Sequence, residues 1–409
     1  MMQFRKQKDT LVQTEISKIA FYLVGIFCSQ LGIAQAQNFP KLGNDTLLDI
    51  ACWNVEWFGS TSYGPTDETT QYNNVLAFLN KTELDVIALE EISNPSTYNT
   101  LSLALGSKYD TYISDYSQTQ KTGIYWRKSM FSVVAANTYN LSLNSSDNYA
   151  FASRPPLQVC LKTEGGTKTD TIYFLVLHMK AQTESTDAGR FESYTRRQNA
   201  ANALKLYLET TLTGKKYVVL GDWNDDLDAS IYNALETPYK GLLNANYTFP
   251  SNELTIGGKA SYAFGSNMID HLMNSKTLDS FYYKNSAKVL DNADSYCSGF
   301  SNNTSDHFPV YANYNWKKLT TKTPSQGLLK IESIMDIKIY PSPASSMLTV
   351  NCDKQISSLE MYNSIGQLMP IRSEPTHQIE IDLTSFARGM YYLKLEIHGC
   401  IETRLIVLQ

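Results

Sequence analysis

The chain has 409 residues and a mass of 46.1 kDa, enough for two or three domains. Hydrophobic residues make up 43% and aromatics 12%, which excludes wholesale disorder, and a net charge of −5 excludes a polycation that holds nucleic acid by bulk charge. Six cysteines are too few for a disulfide scaffold, and the absence of an apolar run of 18 or more residues argues against a permanent membrane span.

The first segment reads as an address. Arg5, Lys6, Lys8 and Lys18 precede the apolar stretch Ile19–Cys28, and Ala34-Gln35-Ala36 forms a small-residue cleavage pattern. A basic region, a short apolar region and such a site together predict a secretory signal peptide over residues 1–36. Bulky Ile26 and Phe27 before Cys28 argue against a lipoprotein acylation site. Cleavage after Ala36 leaves five cysteines, an odd number. Cys52 and Cys160 lie in strand-like apolar runs and are expected to be buried rather than bridged.

A large middle domain follows, over residues 45–316. It holds about 20 Lys and Arg against about 29 Asp and Glu, so the acidity of the chain is concentrated there. Leu47–Trp57 reads as a strand, Gln71–Asn80 as a helix, and Asp85–Ile92 as a buried strand ending in Glu90 and Glu91. Thr122–Arg127, Pro156–Leu161 and Thr171–His178 are further strands, and Arg190–Leu212 is a long helix. Its Arg196-Arg197 pair is assigned to a solvated helix face. Tyr217–Asn224 is a strand ending in Asp222 and Asn224; Met268–Met273 and Ser305–Tyr311 complete the set.

Strand cores favour apolar side chains, because an unpaired buried carboxylate is costly. Here Asn54, Glu91, His178, Asp222 with Asn224, Asp270, and Asp306 with His307 all fall at strand ends. Six such ends point to one sheet edge converging on a site. Carboxylates and Asn without cysteine suit a hard, oxygen-liking cation: Mg²⁺, Mn²⁺ or Ca²⁺. Two histidines beside them suit proton transfer or stabilisation of an anionic transition state. The combination fits metal-assisted cleavage of a phosphate ester.

Trp53-Asn-Val-Glu56, Leu89-Glu-Glu-Ile92, Leu177-His-Met-Lys180, Gly221-Asp-Trp-Asn-Asp225, Ile269-Asp-His271 and Ser305-Asp-His307 resemble, in order, the motifs of the endonuclease/exonuclease/phosphatase superfamily. That resemblance implies a four-layer α/β sandwich: two mixed sheets face to face, with helices outside. It implies that Glu91 is the main metal-binding carboxylate with Asn54 its partner, that Glu56 also touches a metal, and that Asp306 is metal- or water-associated. Asp222 and Asn224 resemble the pair that activates water and holds the phosphate. His307, oriented by Asp270, resembles the histidine on the phosphoryl oxygen, and His178 a second histidine stabilising the transition state. Arg154 resembles a phosphate-positioning arginine. The deoxyribonuclease branch pairs a Glu with the position like His178, whereas this chain has Gln118-Thr-Gln-Lys121 there. His271 is expected to point to the other face of its strand.

Lys317–Gly327 is polar and rich in turn formers, and residues 317–335 read as a linker. The remainder, 336–409, shows short strand-like runs: Ile337–Tyr340, Met347–Val350, Ser358–Tyr362, Ile379–Leu383, Tyr391–Ile397 and Thr403–Leu408. They predict a small β-sandwich. Ile339-Tyr-Pro-Ser-Pro-Ala344, Met361–Gln367 and Arg388-Gly-Met-Tyr-Tyr-Leu393 resemble the C-terminal domain that directs cargo through the type IX secretion machinery. The combined expectation is a monomeric, exported, divalent-metal-dependent phosphodiesterase acting on nucleic acid. A sphingomyelinase-like enzyme and an adhesive binding module are the alternatives.

Overall fold

A computed structural model describes residues 37–321 and 337–409, apart from 365, 372, 373, 398 and 399. The signal-peptide reading of residues 1–36 and most of the linker lie outside the described residues. The chain divides into two compact units, residues 1–322 and 323–409.

The first unit contains two mixed sheets. In chain order the strands are β1 (Leu48–Phe58), β2 (Val86–Ile92), β3 (Tyr109–Ile113), β4 (Lys121–Arg127), β5 (Phe131–Val133) and β6 (Tyr139–Asn140). They continue with β7 (Leu157–Thr163), β8 (Thr171–His178), β9 (Lys216–Asp222), β10 (Asp270–Asn274), β11 (Lys288–Val289) and β12 (Val310–Tyr314). One sheet has the order β11-β12-β1-β2-β4-β3; the other has β10-β9-β8-β7-β5, with β6 on β7. Each contains one parallel pair, β1 with β2 and β8 with β9, flanked by antiparallel neighbours. A parallel pair requires a crossover. Helix α1 (Glu68–Lys81) supplies the first, and helix α3 (Asp187–Thr210) the second. Helix α2 (Pro95–Leu105) follows β2.

The helices start where capping chemistry permits. Asp67 accepts from the Thr69 and Thr70 amides, Asn94 from those of Ser96 and Thr97, and the Thr186 hydroxyl from that of Gly189. The expected helices 71–80 and 190–212 therefore begin three residues early.

Strand alternation explains the layers. Leu48, Ile50 and Cys52 face inward and meet Phe174, Val176, Val218 and Leu220 of the other sheet. Ala51, Trp53 and Val55 face outward onto Val75, Phe78 and Leu79 of α1. Leu175, Leu177 and Val219 face Ala200, Ala201, Leu204 and Leu208 of α3. The result is the four-layer sandwich expected from the motifs. Each fully buried aliphatic side chain contributes about 1.5–3 kcal/mol. Cys52, Cys160, Cys297 and Cys352 are buried free thiols.

One boundary differs from the sequence reading. Residues 317–320, read as the start of the linker, instead complete a short helix, α4 (Trp316–Thr320). Asn315 caps it, Leu319 is fully buried, and the Trp316 ring packs on Phe131 at 5.2 Å. Two apolar anchors outweigh the polar composition.

The second unit is built from β13 (Ile337–Tyr340), β14 (Met347–Asn363), β15 (Leu368–Met369), β16 (Thr376–Asp382), β17 (Gly389–Ile397) and β18 (Cys400–Leu408). The runs Met347–Val350 and Ser358–Tyr362 are one strand. The first half of β14 pairs with β13 and β16, and the second with β15 and β17. Register shifts around Ile356 separate the halves. Leu348, Val350, Leu359, Met361, Leu393, Leu395 and Ile406 share one core.

Candidate active site

Strand register assembles the site. In one sheet, β8 and β9 pair His178 with Asp222, and β9 and β10 pair Asp222 with Asp270. Three chemical groups thus stand side by side on neighbouring strands. In the other sheet, Asn54 on β1 pairs with Glu90 on β2. Gly221 permits the close approach: a Cβ there would stand 2.2 Å from the Leu177 carbonyl oxygen and 2.9 Å from Glu90 Oε1. This gives the glycine before Asp222 a physical reason.

Backbone strain turns the strand ends toward the cleft. Glu56 (φ 42°), Trp57 (φ 51°), Glu91 (φ 62°) and Asn224 (φ 56°) all adopt left-handed conformations. Non-glycine residues there cost of order 1 kcal/mol each. Strict alternation would carry Glu91 to the helix side with Leu89. Instead the register shifts between Leu89 and Ile92, and Glu91 Oε1 comes to 3.6 Å from His178 Nε2.

The two sheets are then tied across the cleft. Asn54 Nδ2 donates to Asp222 Oδ2 at 3.0 Å, and Asn224 Nδ2 donates to the same oxygen at 2.9 Å. The Asn224 amide donates to Asp222 Oδ1 at 2.8 Å. The His307 ring nitrogen Nδ1 lies 2.8 Å from Asp270 Oδ2, and its Nε2 lies 4.0 Å from Asp222 Oδ2. Ser305 Oγ donates to the Asn54 carbonyl at 2.6 Å, and the Trp53 indole donates to the His307 carbonyl at 2.9 Å. Together these bonds weld the β12 end to the β1 end.

Glu56 and Asp306 stand to one side, joined by the Asp306 amide donating to Glu56 Oε2 at 2.9 Å. Glu91 Oε2 accepts from the Trp57 amide at 3.1 Å. Arg154 is nine-tenths buried and donates to the carbonyls of His178 and Met179 and to Gln120 Oε1. Two of its five N–H groups thus hold the end of β8, and a third is taken by Gln120. Gln120 takes the neighbourhood in which the deoxyribonuclease branch carries its Glu, and it serves Arg154. His178 Nδ1 has no hydrogen-bond partner among the described residues.

The electrostatics separate the two histidines. Burial opposes charge on His307, but Asp270 and Asp222 outweigh it and hold the imidazolium well above the ordinary histidine range. Burial, reinforced by Arg154, holds His178 well below that range, so it is neutral. Burial pushes Asp222 up to about 7, although His307 opposes the shift. Burial, then Asp306, pushes Glu56 up to about 7. Glu90 is fully buried and has no hydrogen-bond partner among the described residues; burial, then Asp270 and Asp222, pushes it well above its usual range.

Two tight groups could hold a cation: Glu91, His178 and Asp222; and Asp222, Asp270 and His307. In the second, a protonated His307 already neutralises Asp270, so the first is the better fit. Glu56 and Asp306 are not gathered into either. The cleft above, about 370 Å³, is lined by Glu91, Asp222, Asn224, Tyr262, Asp306 and His307. Tyr262 packs its ring 5.5 Å from that of His307. It belongs to an irregular segment with no periodicity, so nothing in the sequence marked it.

Three neighbours of the site are structural. Arg197 is completely buried and pairs with Asp225 at 2.9 Å, instead of lying on a solvated helix face. Asp226 accepts from Leu227, Met268 and Thr255. His271 faces away and bonds Ser251 and the Asp225 carbonyl.

This fold and this cleft define a phosphoesterase of the α/β-sandwich class. Residues 51–307 match the model of the Endonuclease/Exonuclease/phosphatase family, and the chain belongs to that family. The family is divalent-metal dependent. Residues 338–409 match the secretion system C-terminal sorting domain, which marks the chain for type IX export to the cell surface or beyond. No curated protein matches the chain. Among solved structures, an endonuclease/exonuclease/phosphatase family protein from Bacteroides thetaiotaomicron is 16% identical, covering 66% of this chain and 98% of that one, with a TM-score of 0.46. A humanized D. rerio TDP2 is 14% identical, covering 66% and 100%, with a TM-score of 0.49. The human Nocturnin catalytic domain with bound sulfate is 14% identical, covering 68% and 99%, with a TM-score of 0.45. No helix among the described residues is long and apolar enough to cross a membrane.

Proposed function

We propose that the chain is an exported, divalent-metal-dependent phosphodiesterase that cleaves extracellular DNA or RNA. The observation that carries this reading is the convergence of Asp222, Asn224, Glu91 and the His307–Asp270 pair on one cleft. The donor set fits a divalent cation, which supplies charge to polarise the phosphoryl oxygen and stabilise the leaving oxygen. Asp222 is the general base. Asn54 and Asn224 hold its carboxylate still, and its position near 7 suits proton abstraction at neutral pH. His307, kept cationic by Asp270, meets charge developing on the phosphoryl oxygens. Arg154 fixes the β8 end and offers its remaining N–H groups to the phosphate.

The test is a substrate panel of plasmid, single-stranded DNA, RNA and sphingomyelin, presented to the full chain with Mg²⁺ or Mn²⁺. Nucleic acid should be cut, EDTA should stop the reaction, and Asp222→Ala should lose about 10²–10⁴-fold in rate. Full activity in Asp222→Ala would discard the assignment, and cleavage of sphingomyelin alone would move the substrate to lipid.

A further inference from the structure

The divalent ion invoked above needs donors whose spacing fits a single ion, and the hydrogen bonds of the cleft already occupy part of the carboxylate set. Asp222 Oδ2 already accepts from two amide groups, Asn54 Nδ2 and Asn224 Nδ2. Asn54 Oδ1 accepts from the Glu56 amide. Asp270 Oδ2 faces His307 Nδ1, and Glu56 Oε2 accepts from the Asp306 amide. Glu91, His178 and Asp222 each bring one ligand atom to a common point, and Glu91 Oε1 and His178 Nε2 stand 3.6 Å apart. His178 Nε2 also stands 3.6 Å from Asp222 Oδ2. Donors of an ion held at about 2.1 Å lie about 3.0–3.6 Å from one another, so the spacing suits two ligands of one ion.

The surroundings of His178 agree. Its side chain is 1% exposed and makes no hydrogen bond that would occupy the Nε2 lone pair; both nearby carboxylate oxygens are beyond hydrogen-bond range. Arg154 Nε donates to the His178 carbonyl and so fixes the end of β8 that carries the ring. A buried imidazole nitrogen 3.6 Å from a carboxylate oxygen is placed to share one ion with it.

We propose that His178 binds the divalent ion directly through Nε2, alongside Glu91. This rests on the metal-dependent reading of the same cleft but changes what the ion is. An imidazole donor favours Mn²⁺ and later first-row ions over Mg²⁺, which prefers oxygen. His178 then positions the ion instead of meeting the transferring phosphoryl group.

Pulsed electron paramagnetic resonance on the metal-stripped full chain, reloaded with one equivalent of Mn²⁺, decides the matter without reference to turnover. The spectrum of the unaltered protein should show coupling to a histidine nitrogen. His178→Gln should lose that coupling while still binding Mn²⁺ through Glu91, and its preference for Mn²⁺ over Mg²⁺ in calorimetry should fall roughly tenfold. His307→Gln should keep the coupling. Bound Mn²⁺ without nitrogen coupling in the unaltered protein overturns the proposal and leaves the phosphodiesterase reading intact. Coupling that persists in His178→Gln also overturns it. Failure of the unaltered protein to bind Mn²⁺ or Mg²⁺ overturns the metal-dependent reading itself. The measurement on the unaltered protein needs no variant, so it stands even if His178→Gln does not fold.

Discussion

At the scale of single residues, the site depends on unequal environments for similar groups. His178 and His307 are both buried, yet one is neutral and the other cationic, because only His307 has an aspartate at 2.8 Å. The sign of the pH effect follows. With its proton affinity raised, His307 keeps its charge as pH climbs past the usual histidine value of about 6.5. The stability of the His307–Asp270 pair is therefore fully present below that pH and is lost as pH rises through the raised value. Asp270→Asn should bring the alkaline fall of kcat/KM to lower pH by about one unit or more. A pH–rate profile measures this, and an unmoved alkaline limb would remove Asp270 from its assigned role. The residues that gather at the cleft were legible from their positions at strand ends. The identity of their partners was not: nothing local indicates that Arg154 spends three donors on Gln120 and two carbonyls.

At the scale of elements, a loop is held rigid by a pair that the sequence hides. Arg197 lies on α3, between residues whose spacing reads as a solvated face. Yet its guanidinium is buried against Asp225, immediately after the Asp222–Asn224 turn. Helical periodicity assigns Arg197 by its own polarity, and only the tertiary contact reverses that. Removing one partner leaves an uncompensated buried charge. Arg197→Leu should therefore cost about 3–5 kcal/mol in urea denaturation. The double variant Arg197→Leu/Asp225→Leu should recover part of the loss. A single-variant cost below about 1 kcal/mol would mean that the pair behaves like an exposed one. The long strands of the first unit and its two crossover helices, by contrast, were legible, because alternation and 3.6-residue spacing agree with the faces they bury.

At the scale of the whole molecule, the two units have separate cores. A polar segment marks the division in the sequence, but composition cannot show that Leu319, read as linker, packs into the first core. A chain ending after Thr321 should melt as the first unit does in the full protein. One ending after Asn315 should lose about 2–4 kcal/mol, from Trp316 and Leu319 together. Equal thermal melts for the two truncations would contradict the assignment of α4. The strand β14 shows the same limit in the second unit. A long strand that changes partners midway reads as two strands, since pairing is not written in local pattern.

The bonds that close the cleft join residues from opposite ends of the first unit. Ser305 and His307 reach back to Asn54 and Trp53, and β12 pairs with β1 from Leu48↔Tyr314 to Cys52↔Val310. These are among the longest loops the unit can close, so they carry a large loop-closure entropy cost. A nascent or translocating chain that has released β1 through β10 holds most of the chemical groups, but it lacks the strand that aligns them. The cleft is therefore complete only when the last strand of the unit is in place beside the first.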